Sequence, residues 1–509
     1  MNTIKLLTFG TIFCLFQVVV IHSAKSDDVI TDWDKTSYEA VVRDTAGSTT
    51  MPGPGWSSRN LAMVTAAMCD AVNNAAASPP FTSYAYTGPT FQNASSKVAA
   101  AYAAHDVLAS IYTAPTQIAA FDAQLATSIA GVSGQALTDG KTLGQAAATA
   151  VINKRTNDGA ATNVSYSTQP GLGHYQLQSG QTIWGPNWGN VTPFVLNATQ
   201  KANVATLIGT KLDQFMNVPG LSALATPTAT PAFYTAMLGS PNFATAYNDL
   251  VKLGGNSVGT YTTTRTLDQT RAGIYWGYDV GGLGPPPVLY NQILRKIAVQ
   301  QNNTVQQNAR LFALSNMAMA DAGIASWQAK FQYDIFRPIT AVQNQSALQS
   351  LNIAINTVDA GWTPLGAPNG IPGSATMPNN APFTPPFPAF TSGHASFGGA
   401  LFQTIRDFYG TDAIPFTLTS DNLPGLPRTF NTLTQAELEN AESRIYLGIH
   451  WQFDADIGIS SGDLVGNNVF TGAIVPVPEP SSFVLGGMGL LGLLAVARRK
   501  RNNLLQRGQ

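Results

Sequence analysis

The sequence predicts an all-α protein built from helical bundles. Ala and Leu recur at helical spacing in Leu61–Ala76, Val98–Ile111, Ile118–Ile129 and Leu143–Ile152. No alternating apolar–polar run is sustained between turn residues, which leaves strands without a signal. The connections gather Gly, Pro, Thr and Asn, most of all in Thr156–Asn187, Thr226–Pro231 and Asp359–Phe387. Further helices follow at Ala202–Met216, Pro287–Gln301, Thr304–Ala329, Ala395–Tyr409 and Gln435–Leu447. The long connections are of the kind that is either functional or disordered. No repeat of fixed period is present.

Composition excludes several classes. The chain has 509 residues with 27 basic and 28 acidic side chains, a net charge of −1. That balance shows no basic excess for nucleic acid. Hydrophobic residues make up 44%, enough for a core, so the low charge of 11% does not mean disorder. A Gly-X-Y period and Glu–Lys faces are both missing, which sets aside collagen and coiled coils. Two Cys are present, Cys14 and Cys69. With Cys14 in the N-terminal apolar run, Cys69 is the one thiol expected in the mature chain, so no internal disulfide or multi-Cys metal site is available. Length and the Pro/Thr-rich stretch near 220–260 divide the remainder into an N-terminal helical region, 25–250, and a C-terminal one, 251–475.

The two ends read as addresses. Lys5, the apolar run Leu6–Ile21 and the small residues Ser23 and Ala24 form a secretory signal over 1–24. At the other end Val477-Pro478-Glu479-Pro480 precedes an apolar run, Phe483–Ala497, closed by Arg498, Arg499, Lys500 and Arg501. An apolar run with a basic stop keeps its basic end cytoplasmic.

Three separated segments carry the chemistry. Lys330 and Arg337 stand seven apart. At about 100° per residue they share one face of a continuous helix, with Pro338 marking its end. They form either a solvated basic face with Asp334 as the partner of Lys330, or an anion site. Next, Pro386–Gly393 is a Pro-rich loop ending at Ser392, an N-cap whose hydroxyl and following N–H groups suit an anion. Gly393 allows close backbone approach, and His394 lies in the first turn. The third segment holds Arg444, His450 and Asp454. A straight helix sets Arg444 and His450 about 120° apart, so a break near Gly448 is expected. Asp454, four residues after His450, would fix its tautomer. Each His is otherwise an ordinary packed side chain. Taken together, three fixed cations, a hydroxyl, a helix start and two of the four His after Ala24 point to a multiply charged tetrahedral oxyanion, phosphate or vanadate.

The ordered set Lys330…Arg337-Pro338, Ser392-Gly393-His394 and Arg444…His450…Asp454 resembles the signature of the vanadium haloperoxidase and type 2 phosphatidic acid phosphatase superfamily, from about Tyr275 to Gly462. One departure is Thr391, where the family usually has Pro. The resemblance implies two four-helix-bundle-like halves and a vanadate cofactor. It makes His450 the ligand of vanadium and places Lys330, Arg337, Ser392, Gly393 and Arg444 on the vanadate oxygens. His394 becomes the acid–base residue, with Lys330 polarising the bound peroxide. The partners implied are hydrogen peroxide, halide and a small organic acceptor. Trp327 and Phe387 resemble the halide-site aromatics of the chloroperoxidases, or else are plain core. Asp279 would pair with Arg444 behind the site. The C-terminal tripartite ending, 476–501, resembles the PEP-CTERM sorting signal, which implies export, an exosortase-type processing enzyme and transient inner-membrane association.

Two alternatives remain. In an exported acid phosphatase His450 would attack phosphorus and form a phosphohistidine, with His394 protonating the leaving oxygen. A non-catalytic surface or matrix protein is the other, against which the intact residue set argues. The G-x-S-x-G run at Gly255–Gly259 follows a helix-like Ala246–Leu253 rather than a strand, so it is read as a loop.

Overall fold

The computed structural model describes residues 28–47, 49–256, 262–279, 282–358, 361–366 and 384–477. The predicted signal 1–24, Ser257–Gly259 of the G-x-S-x-G run, and all of the C-terminal ending after Val477 lie outside these residues.

The described chain is helical throughout. Its first group is α1 (Val29–Ala46), α2 (Gly53–Asn74), α3 (Ser96–Ile111), α4 (Pro115–Ile129) and α5 (Gly134–Arg155). Then come α6 (Ala198–Met216), α7 (Pro231–Leu238), α8 (Pro241–Gly254), α9 (Leu267–Tyr275) and α10 (Pro287–Gln300). The last group is α11 (Val305–Tyr333), α12 (Pro338–Gln343), α13 (Gln345–Leu351), α14 (Gly393–Tyr409), α15 (Leu433–Tyr446) and α16 (Gln452–Gly472). One short hairpin, β1 (Phe416–Leu418) against antiparallel β2 (Arg428–Phe430), joins α14 to α15. Three residues per strand are too few to show alternation, so the sequence gives no sign of it.

Helix starts follow local chemistry. Asn197/Gln200, Thr266/Gln269 and Thr304/Gln307 make reciprocal capping boxes at α6, α9 and α11. Proline opens α4, α7, α8, α10 and α12, where its missing N–H costs nothing. Each predicted helix overlaps one of these elements; α1, α7, α9, α12 and α13 were not anticipated, and of α16 only a start near His450 was. The α16 pattern is diluted by Gly458, Gly462 and Gly466. They sit in the seam with α14: a Cβ on Gly462 would lie 2.4 Å from the Ser396 carbonyl oxygen, and one on Gly458 2.7 Å from Ala395 Cβ. Small residues there let the two backbones approach, at the expense of an apolar stripe.

Helices α2, α3 and α5 pack together, α11 bridges α2 to α14, and α14 lies along α16. One continuous apolar cluster runs from Val29 to Ile474. Cys69 is a free, buried thiol within it. Among the described residues no helix is long and apolar enough to cross a membrane.

Candidate active site

The C-terminal end of α11, the α14 start and the α15–α16 joint bring the three segments to one place. Lys330, Arg337, Ser392, Arg444 and Asp454 are each 0% exposed, His450 is 2% and His394 4%. A buried charge without partners is strongly disfavoured, so their partners decide the chemistry.

Lys330 and Arg337 do not share one helix, contrary to expectation. α11 stops at Tyr333, Asp334 turns left-handed at φ +48, and Arg337 precedes Pro338, which starts α12 rather than ending a helix. Asp334 is not the partner of Lys330 either. It accepts from the Tyr166 hydroxyl at 2.5 Å and from His174 Nδ1 at 2.9 Å. Lys330 Nζ instead donates to the carbonyls of Pro388, Ala389 and Thr391 at 3.0, 3.0 and 2.5 Å. Thr391 thus contributes a carbonyl to the site, and its hydroxyl meets Ser326 Oγ at 3.0 Å. Burial, then the Arg337 charge, push the Lys330 ammonium well below the usual lysine range.

Arg337 donates through Nε to the Phe387 carbonyl and through Nη1 to the Ile449 carbonyl and His450 Nε2, all at 2.9 Å. Burial lowers its guanidinium to about 10. Ser392 caps α14 as expected, its Oγ accepting from Ala395 N–H at 3.4 Å, and its own N–H donates to the Asp454 carbonyl at 2.9 Å. Gly393 follows at the first helical position, where an added Cβ would meet the Trp327 ring at 3.3 Å.

The break before His450 is present: Gly448 adopts φ +72 between α15 and α16. His450 Nδ1 lies 2.9 Å from Asp454 Oδ2, which also accepts from Trp451 N–H at 3.0 Å. An acidic acceptor there places the ring proton on Nδ1 and the lone pair on Nε2. Burial and then the Arg337, Lys330 and Arg444 charges hold the His450 pKa well below its ordinary value. Burial raises the Asp454 carboxyl to about 7.

His394 Nε2 donates to the carbonyls of Trp276 and Gly277, at 3.0 and 2.9 Å. Its Nδ1 is left to accept. Burial and the Arg444 charge lower its pKa to about 3. Arg444 Nη2 pairs with Asp279 Oδ2 at 2.5 Å, the pairing expected for these two residues. The Trp276-Gly277 carbonyls were missed by sequence reasoning, because backbone groups leave no residue-type signature.

Two guanidinium atoms, Arg337 Nη2 and Arg444 Nε, are buried with no hydrogen-bond partner. A centre with three cations and unfilled donors fits a tetrahedral oxyanion such as vanadate. Trp327 and Phe387 pack with ring centres 4.9 Å apart, and Lys330 Nζ sits 5.2 and 5.1 Å from the two rings. Phe387 lines a cavity of about 530 Å³ with Asp279 and Trp184, whereas Trp327, 1% exposed, lies behind it. Trp184 was not singled out in the sequence; the dense run Trp184–Trp188 was its signal.

Residues 310–475 match the model of the VCPO second helical-bundle domain. The chain is similar to vanadium haloperoxidases. It is 37% identical over 258 residues to the vanadium chloroperoxidase of Curvularia inaequalis, covering 41% of this chain and 40% of that protein. It thus spans well under half the length of that curated relative. The first bacterial vanadium-dependent iodoperoxidase structure shares the fold at TM-score 0.64 and 20% identity, over 89% of this chain and 97% of the other. A holo-type bacterial vanadium-dependent chloroperoxidase does so at 0.57 and 16%, over 89% and 98%. The matched segment, 310–475, contains every sequence-derived site residue except Asp279. Residues 476–501 match the PEP-CTERM protein-sorting motif, which marks the chain as exported.

Proposed function

We propose that this chain is a vanadate-dependent haloperoxidase, oxidising halide with hydrogen peroxide to a hypohalous species that halogenates organic acceptors. The pair of buried, unpartnered guanidinium atoms on Arg337 and Arg444 supports this reading most. Both belong to cations around the His450 lone pair. An oxyanion supplies the missing acceptors.

Vanadate, when bound, supplies a Lewis acid that activates peroxide without changing oxidation state. The residues of the chain do the rest. His450 offers Nε2 as the ligand, with Asp454 holding its tautomer. Lys330, Arg337, Arg444, the Ser392 hydroxyl and the Gly393 N–H are the groups assigned to the oxyanion's oxygens. His394, locked with its proton on Nε2, is free at Nδ1 to take a proton from hydrogen peroxide. Its low pKa keeps it neutral for that task. Trp327 and Phe387 form the aromatic wall assigned to halide, chloride or bromide, by their likeness to the chloroperoxidases. Processing by an exosortase-type enzyme, with transient inner-membrane association through 476–501, belongs to the same proposal.

The test strips the exported chain with phosphate and chelator, then titrates in orthovanadate. Halogenation of a cyclic diketone with peroxide and chloride or bromide is followed beside aryl phosphate hydrolysis. Vanadate-dependent halogenation lost in His450→Ala is the expected result. Phosphatase activity inhibited by vanadate, with no halogenation, would overturn it. Neither activity in a folded chain would return the surface-protein reading.

A further inference from the structure

The geometry points to a binding site for a flat phenolic ring beside the catalytic centre, so that the organic acceptor is held rather than met in solution. This deepens the haloperoxidase reading and rests on it for the chemistry, though not for the binding. The site is the cavity of about 530 Å³ that Phe387 and Asp279 share with Trp184.

Trp184 is its main platform. It comes from the long connection after α5, far in sequence from the catalytic segments. Its placement is over-determined: Nε1–H donates to the Pro52 carbonyl at 2.8 Å and the backbone N–H to the Pro386 carbonyl at 3.0 Å. Gly53 lies against the indole, where an added Cβ would come within 2.4 Å. The ring also stands edge-on to Trp327 at 5.1 Å and to Phe387 at 6.1 Å. Trp188 packs against it as well, with ring centres 5.6 Å apart, and an indole fixed on several sides yet only half buried gives the cavity a rigid aromatic wall. Pro285 and Pro386 add flat aliphatic walls. Such walls favour a flat ring, and stacking on the indole adds a geometric preference beyond area.

The polar end fixes the ring's orientation. Asp279 lines the same cavity and is anchored by Arg444. A carboxylate accepts hydrogen bonds and donates none. It therefore suits a ring that carries a hydroxyl donor. A hydroxyl bound there sits next to His394, whose Nε2 is 4.0 Å from Asp279 Oδ2. A phenol is also electron-rich at the carbons beside its hydroxyl. Hypohalous acid transfers its halogen to such a carbon: the C–X bond forms as the O–X bond breaks and releases hydroxide, and the ring proton combines with that hydroxide to leave as water.

The test measures binding to the exported chain without vanadate, by calorimetry and by quenching of indole fluorescence. The probes are 2-naphthol and its saturated analogue decahydro-2-naphthol. Saturable 2-naphthol binding at one site per chain is expected, with the saturated alcohol about tenfold weaker. Trp184→Ala is expected to lose about tenfold in affinity and Trp184→Phe to recover much of it. Equal binding of the flat and saturated alcohols, or unchanged binding in a folded Trp184→Ala, overturns the proposal. The probe series on the native chain decides the matter even where Trp184→Ala fails to fold. Halide oxidation without any organic acceptor is assayed separately. Its absence counts against the haloperoxidase reading, and absent ring binding counts only against this site.

Discussion

Arg337 Nη1 donates to His450 Nε2 over 2.9 Å, so a cation rests on the lone pair that a ligand would use. The opposite nitrogen, Nδ1, faces Asp454 at 2.9 Å. The imidazole is thus poised between a donor and an acceptor, and an oxyanion at Nε2 draws the Arg337 guanidinium onto its oxygens. Arg337→Ala is expected to weaken phosphate and vanadate binding by about 10- to 100-fold, the size of a lost charge-assisted hydrogen bond. Arg337→Lys should not restore it, because one ammonium cannot span the Phe387 and Ile449 carbonyls and the anion together. Calorimetric titration with orthophosphate checks both. Native affinity in Arg337→Ala would remove this residue from the anion site.

The Asp454 carboxylate determines which nitrogen of His450 is basic. Its Oδ2 accepts from both the Trp451 N–H and His450 Nδ1. Asp454→Ala removes that one acceptor, so the ring proton is no longer held on Nδ1 and the lone pair no longer held on Nε2. Vanadate affinity and halide oxidation are expected to fall by about 10- to 100-fold. Nitrogen-15 NMR of the labelled histidine should show the tautomer exchange without loss of fold. An unchanged tautomer with lost activity would mean that Asp454 acts through packing instead.

Much of this architecture was legible in the sequence, for physical reasons. Ala-rich helices such as α3 and α5 announce themselves by period, and Ser392 by its capping chemistry. The Gly448 break followed from helix geometry, since Arg444 and His450 cannot converge on one straight helix. The Lys330–Arg337 reading failed because periodicity does not reveal that Asp334 takes a left-handed turn and Pro338 starts a new helix. The two cations meet through that turn rather than along one face. Trp184, despite the dense run Trp184–Trp188, and the Trp276-Gly277 carbonyls were missed for a different reason. Their roles arise from chain segments far apart in sequence, and a single sequence does not report such proximity.

His394 provides a pH signature. Burial and Arg444 lower its pKa to about 3, whereas in the unfolded chain a histidine titrates near about 6.5. The unfolded state therefore binds one more proton between these values. The associated stability is whole above about 6.5 and is lost as pH falls toward about 3. The raised carboxyls of Asp454, about 7, and Glu437, about 8, oppose this trend, so the comparison must be a difference. Relative to His394→Gln, the native chain should lose about 1.4 kcal/mol per pH unit below pH ~6.5. Urea unfolding at several pH values from 7.5 to 5 measures it. A difference independent of pH would show that His394 titrates normally.

The last prediction joins fold to site through two glycines. Gly448 holds φ +72, and a Cβ there would fall 2.3 Å from the Gly254 carbonyl oxygen; a Cβ on Gly254 would fall 2.4 Å from Gly448 Cα. The end of α8 thus presses directly on the joint between α15 and α16, and no side chain is present that could move aside. Gly448→Ala carries both the left-handed penalty, about 1–2 kcal/mol, and overpacking of about 1–3 kcal/mol. Gly254→Ala carries only the second. Because both substitutions push apart the same two backbones, the double variant should lose less stability than the two single losses added together. His450 lies two residues beyond Gly448, so phosphate affinity should fall in Gly448→Ala well before the chain unfolds. Urea midpoints and phosphate titrations of the three variants test this together. Additive stability losses with unchanged phosphate binding would mean that the α8 contact does not set the position of His450.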